Sequence, residues 1–307
     1  MLRGLYTAAA GMIAQQRRHD TVTNNLANIY TPGYKQNYAP ARAFPEMLIS
    51  LINSGEPGAL PIGRLNTGVM VEEILGPVVQ GDLLETRNPG DFAIVSHIRV
   101  FEEVDGEQVE IAFDLSGKGV NQNGETVYQP QAFFTLQSAG GERRYTRNGK
   151  FYVNEDGLLV NENGLSVLNR NGEPIQLDDP DFGVLGLDDI RVTADGQLLY
   201  AQNGDPITDT DGEPVFLMIS RIDNPNQLIR EGGSLYRLEN PEEQPPVIVD
   251  NLEEVVVYQG YIESSNVDPV QSVVDMMTAA RLYEANQKVI QFYDRSMDKA
   301  VNEVGRV

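Results

Sequence analysis

The sequence predicts an α+β protein in which a discontinuous helical coiled-coil domain, drawn from both termini, accompanies a central antiparallel all-β domain. Three observations predict it. Apolar residues recur at alternating spacings of three and four in Leu2–Asn28 and again in Asp268–Val304. Nine Asx-Gly pairs, the strongest short-range hairpin signal, all fall between residues 105 and 212. The acidic charge is gathered in that same middle region: residues 1–42 carry five basic side chains against one acid and residues 281–307 five against four, which leaves 13 against 40 between them.

In the N-terminal stretch Leu5, Ala9, Met12, Gln16, His19, Thr23 and Leu26 share the helical spacing, diluted by the polar members and by Gly4 and Gly11, which lower intrinsic helicity. The small residues Ala8, Ala9, Ala10, Gly11 and Ala14 let another helix approach closely. Thr31-Pro32-Gly33 ends the helix, because Pro presets the second position of a turn and Gly accepts the positive φ that a type II turn needs at the third. Residues 36–68 form a connector, and within it 53–66, with Gly55, Pro57, Gly58, Pro61 and Gly63, read as flexible or irregular.

The β domain is expected over 69–254. Its Asx-Gly pairs recur every seven or eight residues from Asn148 to Asn171 and every eight from Asp195 to Asp211, the rhythm of short antiparallel strands. Phe92–Val95, Phe133–Leu136 and Phe216–Ile219 are apolar enough for central strands. The terminal segments 1–35 and 255–307 make up the helical domain. In the second of these, Asp268 can cap and Pro269 suits the first helical position. Met276, Ala279, Tyr283, Asn286, Ile290, Tyr293, Met297, Ala300 and Val304 then trace an a/d seam, broken only by Asn286, the kind of single polar residue that fixes register. A second apolar stripe, Leu282, Val289 and Phe292, lies beside the seam and gives the helix more apolar surface than one small contact uses.

Composition excludes several classes. A net charge of −22 repels nucleic acid and anionic membrane surfaces. With no Cys there is no disulfide, thiolate or Cys-ligated metal, and no stretch approaches the roughly 20 apolar residues of a membrane span. The search for chemistry is equally spare. His19 and His97, the two histidines, stand in unlike contexts that suit solvated or packing roles. Gly117-Lys118-Gly119 lacks the rest of a phosphate loop. Asp209-Thr210-Asp211-Gly212 has the look of a calcium loop, but Ile207 occupies the first ligand position, and Tyr152, Leu159 and Val167 occupy it in the comparable turns. No catalytic, cofactor or metal residue is nominated.

Asn24-Asn25-Leu26-Ala27-Asn28 followed by Thr31-Pro32-Gly33-Tyr34-Lys35 resembles the N-terminal signature of bacterial flagellar rod and hook proteins. Leu5–Met12 with Ala14-Gln15-Gln16 is similar to the rod branch, and to the distal rod type above all. Gly260–Asp268 and Arg281–Ile290 resemble the C-terminal signature, and Tyr145–Phe151 the β-domain motif. In one departure, Ser96–Gln131 stands as an acidic, Gly-containing insertion between Asp91–Val95 and Phe133-Phe134, where the family passes almost directly from one strand to the next.

The resemblance implies a non-enzymatic axial subunit of the flagellar basal-body rod without cofactors. It would polymerise with itself and with other rod and hook proteins through the terminal helices, carry torque from motor to hook, and pass through the flagellar export apparatus without a cleaved signal peptide. It also implies that Asn25 and Asn28 serve helix ending and subunit contact. The residues expected to carry assembly are Leu5, Met12, Asn24, Asn25, Leu26, Asn28, Pro32, Gly33, Tyr34, Asn266, Met276, Tyr283, Asn286, Ile290, Tyr293 and Met297. The alternatives are a secreted acidic β-rich binding module, with calcium as candidate ligand, and a hydrolase that uses carboxylates.

Overall fold

A computed structural model describes residues 2–45, 47–51, 60–66, 68–71, 74–75, 79–104, 107–114, 117–179, 183–209, 212–232, 234–242, 245–249 and 254–304. The chain forms two compact units. Residues 1–27, 37–74 and 267–307 make the first, and residues 28–36 with 75–266 make the second. These boundaries differ from those drawn on the sequence. Residues 28–36 and 255–266 belong with the β structure, and the connector belongs with the helices.

The first unit holds two helices, α1 (Leu2–Ala27) and α2 (Pro269–Lys299), the latter followed by a π-helical turn, Ala300–Val304. Asp268 caps α2, its carboxylate accepting from the amides of Val270 at 2.8 Å and Gln271 at 3.0 Å, with Pro269 at the first helical position. The helices run antiparallel. A Cβ at Gly4 would fall 2.0 Å from Tyr293 Oη and one at Gly11 3.1 Å from the Asn286 amide group, while Arg18 pairs with Asp275 at 3.3 Å. Gly4, Gly11 and Arg18 stand seven residues apart, one position ahead of Leu5, Met12 and His19, so the contact phase of α1 lies one residue earlier than the large apolar residues suggest. The glycines that weaken the isolated helix are the places where the large side chains of α2 come to rest.

The connector is not irregular where it is described. Ala41–Ala43 pairs with Val69–Val71 and Met47–Leu51 with Leu60–Leu65, both antiparallel, so the segment forms a ribbon folded back on itself. Leu60, Ile62 and Leu65 supply strand-forming residues, and the register shift opposite Ile49 and Ser50 lets Pro61 and Gly63 stay in the strand. Residues 52–59 lie outside the described residues.

The second unit is built around Gln131–Gln137, which is buried over nearly its whole length. It pairs antiparallel with Arg143–Thr146, Ser166–Val167 and Ile219–Ile222. Phe92–Ser96 pairs instead with Val255–Gln259. Of the run Phe216–Ile219, Phe216 and Leu217 make isolated bridges and the strand begins at Ile219. Inside the inserted 96–131 stretch, Phe101–Val104 pairs with Glu107–Glu110 and Lys118–Val120 with Thr126–Tyr128.

Most Asx-Gly pairs close turns, but not as two-residue hairpins. In Asn154–Gly157, Asn161–Gly164 and Asn169–Gly172 the Gly amide donates to the carbonyl of the first residue, only the Gly has positive φ, and the first residue's side chain accepts from the amide four positions on. These are type I turns with a glycine bulge, fixed as much by the leading Asn as by the pair itself. Asp105–Gly106 and Asp211 lie outside the described residues. The turns arrange short strands into two three-armed modules. In the second, Leu198, Ile207 and Val215 pass backbone hydrogen bonds of 2.8–2.9 Å around a ring, with all three side chains buried.

Asn148–Gly149 is an exception to the hairpin reading. Gly149 does not have positive φ, and a Cβ there would lie 1.8 Å from the Phe92 carbonyl oxygen. The glycine is required because two backbones meet, with the Phe92 amide donating to the Gly149 carbonyl at 2.9 Å. Gly149→Ala is therefore expected to lower stability by about 2–3 kcal/mol or more through overpacking against backbone. Gly124→Ala has open space but a φ of +78°, and should cost about 1–2 kcal/mol. Urea unfolding followed by circular dichroism checks the order of the two.

Candidate functional site

The residues expected to carry assembly divide between the two units. In the first, Leu5, Met12, Leu26, Met276, Tyr283, Asn286, Ile290, Tyr293 and Met297 are half-buried, Asn24 is exposed and Asn25 is buried. Asn25 binds the backbone of one residue on both sides, its Nδ2 donating to the Asn37 carbonyl at 2.8 Å and its Oδ1 accepting from the Asn37 amide at 3.0 Å. That bidentate clamp fixes the start of the ribbon against the last turns of α1. Across the helix pair, Gln15, Gln16 and His19 line a groove with Tyr283, Glu284 and Gln287. Leu282, Val289 and Phe292 on α2, and Tyr6 and Ile13 on α1, are exposed, Phe292 at 68%.

Asn28, Pro32, Gly33, Tyr34 and Asn266 lie in the second unit, where they are part of a tightly organised site. The Tyr34 amide donates to the Thr31 carbonyl at 3.2 Å across Pro32 and Gly33, whose φ of +67° makes the turn type II. Asn28 holds the start of this turn, its carbonyl accepting from the Thr31 amide and its Oδ1 from the Thr31 hydroxyl. Gly33 is needed for a second reason: a Cβ would stand 2.5 Å from the backbone carbonyl carbon of Arg147. The segment then runs beside Glu263–Asn266. The Gly33 amide donates to the Glu263 carbonyl at 2.7 Å, the Asn266 amide to the Tyr34 carbonyl at 3.4 Å, and the Gln36 amide to Asn266 Oδ1 at 2.7 Å. Asn266 Nδ2 and Lys35 Nζ share the Val79 carbonyl as acceptor.

At the centre is a charge cluster sealed from solvent. Lys35, Glu263 and Arg147 are 2%, 1% and 1% exposed. Lys35 Nζ lies 2.5 Å from Glu263 Oε1, which also accepts from the Gly81 amide at 2.8 Å. Arg147 Nε lies 3.2 Å from Glu263 Oε2, in ion-pair contact but at an angle that makes no hydrogen bond, while its Nη1 donates to the Ala132 carbonyl at 2.9 Å. A third cation borders the cluster. Arg230 stacks on Tyr34, 4.2 Å above the ring centre, and donates to the Lys35 carbonyl at 2.6 Å.

The electrostatics follow from the count of charges. Burial pushes Lys35 down to about 8, and the nearby Arg147 pushes the same way, against the pull of Glu263. Burial also works against the Glu263 anion, but attraction to Arg147 and Lys35 and its hydrogen bonds outweigh this and hold the carboxyl below its usual range. The shifts are consistent because one anion faces two cations: the carboxylate gains from both, and the lysine shares its partner with a competitor.

Lys35, Arg147, Glu263 and Arg230 were not nominated from the sequence. The signal was present, since three of them lie inside the quoted motifs Thr31–Lys35, Tyr145–Phe151 and Gly260–Asp268, beside the charged Lys150 and Asp268. Among the described residues no three His, Asp or Glu are grouped so as to hold a metal ion, and no helix is long and apolar enough to cross a membrane.

Comparisons with known proteins cover the same motifs. Residues 5–35 match the family described as flagella basal body rod protein, 129–219 the flagellar hook protein FlgE/F/G D1 domain, and 258–303 the flagellar basal body rod FlgEFG protein C-terminal family. The D1 match begins at the end of the inserted segment. The flagellar hook-basal body complex protein FlhO of Bacillus subtilis is 36% identical over the whole of both chains. The flagellar basal-body rod protein FlgG of Agrobacterium fabrum is 30% identical over 95% of this chain and 96% of its own. The flagellar basal-body rod protein FlgF of Caulobacter vibrioides is 25% identical over the whole of both. The chain thus belongs to the bacterial flagellar basal-body rod protein family, as a structural protein of the flagellar basal body.

Proposed function

We propose that this chain is a non-enzymatic axial subunit of the flagellar rod that polymerises with copies of itself and with other rod and hook proteins through its terminal helices, and so carries torque from motor to hook. The observation that supports this most directly is the division of α2 into two faces. One, through Tyr283, Asn286 and Tyr293, packs on α1, and the other, through Leu282, Val289 and Phe292, is exposed. An apolar stripe left in water on a long helix is costly unless a partner covers it. In this reading the paired helices form a coiled-coil inner layer, and Asn286, seated over Gly11, sets their register within the subunit. Passage through the flagellar export apparatus without a cleaved signal belongs to the same reading.

The two faces give separable outcomes. Tyr283→Asp or Ile290→Asp places a charge in the helix-packing face and should abolish incorporation into basal bodies, with the β unit still folded by circular dichroism. Phe292→Asp should block assembly while leaving the helix pair intact. Normal incorporation of all three variants, scored in purified basal bodies, would refute assembly through these helices. Cells lacking the gene should lack hook and filament by electron microscopy, with recovery only by a version that carries both ends.

A further inference from the structure

The enclosed cluster at Lys35 holds more positive than negative charge, and only one of its cations can discharge. Guanidinium groups keep their proton at every pH a folded protein meets, whereas a lysine ammonium can lose it when buried. Lys35 is faced by Glu263 and Arg147, by Arg230 with Tyr34 and Tyr236 on its flank, and by the 79–82 segment, which offers the Val79 carbonyl from a stretch whose carboxylate, Asp82, is exposed. If Lys35 is neutral, Glu263 and Arg147 remain as a balanced pair. The amine still has a hydrogen for the Val79 carbonyl at 2.7 Å and another for Glu263. Discharge therefore lowers the excess charge, leaving Arg230 stacked on Tyr34 as the one cation beyond the balanced pair, and keeps the hydrogen bonds.

We propose that the contact between Tyr34-Lys35-Gln36 and Glu263–Asn266 is a proton-linked clasp, which Lys35 tightens by releasing its proton on the alkaline side of neutrality. The direction follows from linkage. The folded chain holds Lys35 less protonated than the unfolded chain does, so folding releases a proton and stability rises with pH. The gain begins near the folded value of about 8 and is complete above the ordinary lysine value of 10.5. This is the reverse of an exposed lysine salt bridge, which weakens as the lysine discharges. Every residue of the clasp lies within one unit, so the clasp forms whether or not the terminal helices assemble.

Two measurements on the full-length chain test it. In protein carrying 13C at lysine Cε, the Lys35 signal, assigned by its loss in Lys35→Arg, should titrate with a midpoint of about 8. A Lys35 midpoint at or above 10.5 overturns the proposal. Thermal unfolding of wild type and Lys35→Met is then compared from about pH 7 to about pH 9, where an ordinary tyrosine stays largely protonated. The wild-type Tm should rise relative to the variant across that range. A constant difference, or one that falls with pH, overturns the proposal, and should Lys35→Met not fold, the lysine titration decides alone.

Discussion

One carboxylate bears two buried cations, and the second unit is organised around that arrangement. Glu263 is separated from Lys35 by 228 positions in the chain, yet the two side chains meet at 2.5 Å. Closing so long a loop costs only slightly more than closing one half its length, so the contact can hold together the two points where the chain enters and leaves the unit. Breaking it is a different matter. In this sealed site the loss of Glu263 leaves Lys35 and Arg147 without a counter-charge, which costs about 3–5 kcal/mol, whereas an exposed pair contributes about 1 kcal/mol or less. The Glu231 network with Arg144 and Arg237, which is partly open to solvent, is of the second kind. The neighbouring backbone hydrogen bonds from Gly33 and to Tyr34 act with the ion pairs, since each fixes the strand positions the others need.

Close approach of backbone is the second recurring device, and glycine serves it in three ways. At Gly33 it permits both a positive φ and contact with Arg147. At Gly149 conformational freedom is irrelevant and the missing Cβ is the whole reason. At Gly4 and Gly11 it opens a helix surface to Tyr293 and Asn286. A helix carrying such gaps is poorly stable alone, because isolated helices are marginal and glycine lowers their propensity further. The packed pair gains what the single helix lacks.

This explains what could be read in the sequence. The Asp268 cap, the type II turn at Pro32-Gly33 and the extent of both helices are local, each decided by a few consecutive residues, and they stand where the pattern puts them. The phase of α1 was obscured because large apolar residues mark a face by what they bury and small ones by what they admit. The pairing of Met47–Leu51 with Leu60–Leu65 was obscured because Pro61 and Gly63, of types that usually break strands, sit beside a bulge that only the partner strand reveals. Lys35, Arg147 and Glu263 were the hardest to place. A charged residue looks the same in a sequence whether it ends in water or in a sealed core, and the difference is made by partners far away in the chain. That all three lie inside the motifs Thr31–Lys35, Tyr145–Phe151 and Gly260–Asp268 was the available hint.

The distribution of charge bears on how such a subunit can pack with copies of itself. The first unit carries ten basic side chains against eleven acidic, and the second 13 against 34. Like-charged surfaces repel over about a Debye length, roughly 8 Å at physiological ionic strength. Copies of the second unit therefore resist contact with one another, while the near-neutral first unit, with its exposed Leu282, Val289 and Phe292, does not. Burying apolar area is non-directional, so in the assembly proposed above the repulsion would supply what the apolar stripe alone cannot: it would disfavour association through the acidic unit and leave the near-neutral unit as the less opposed surface.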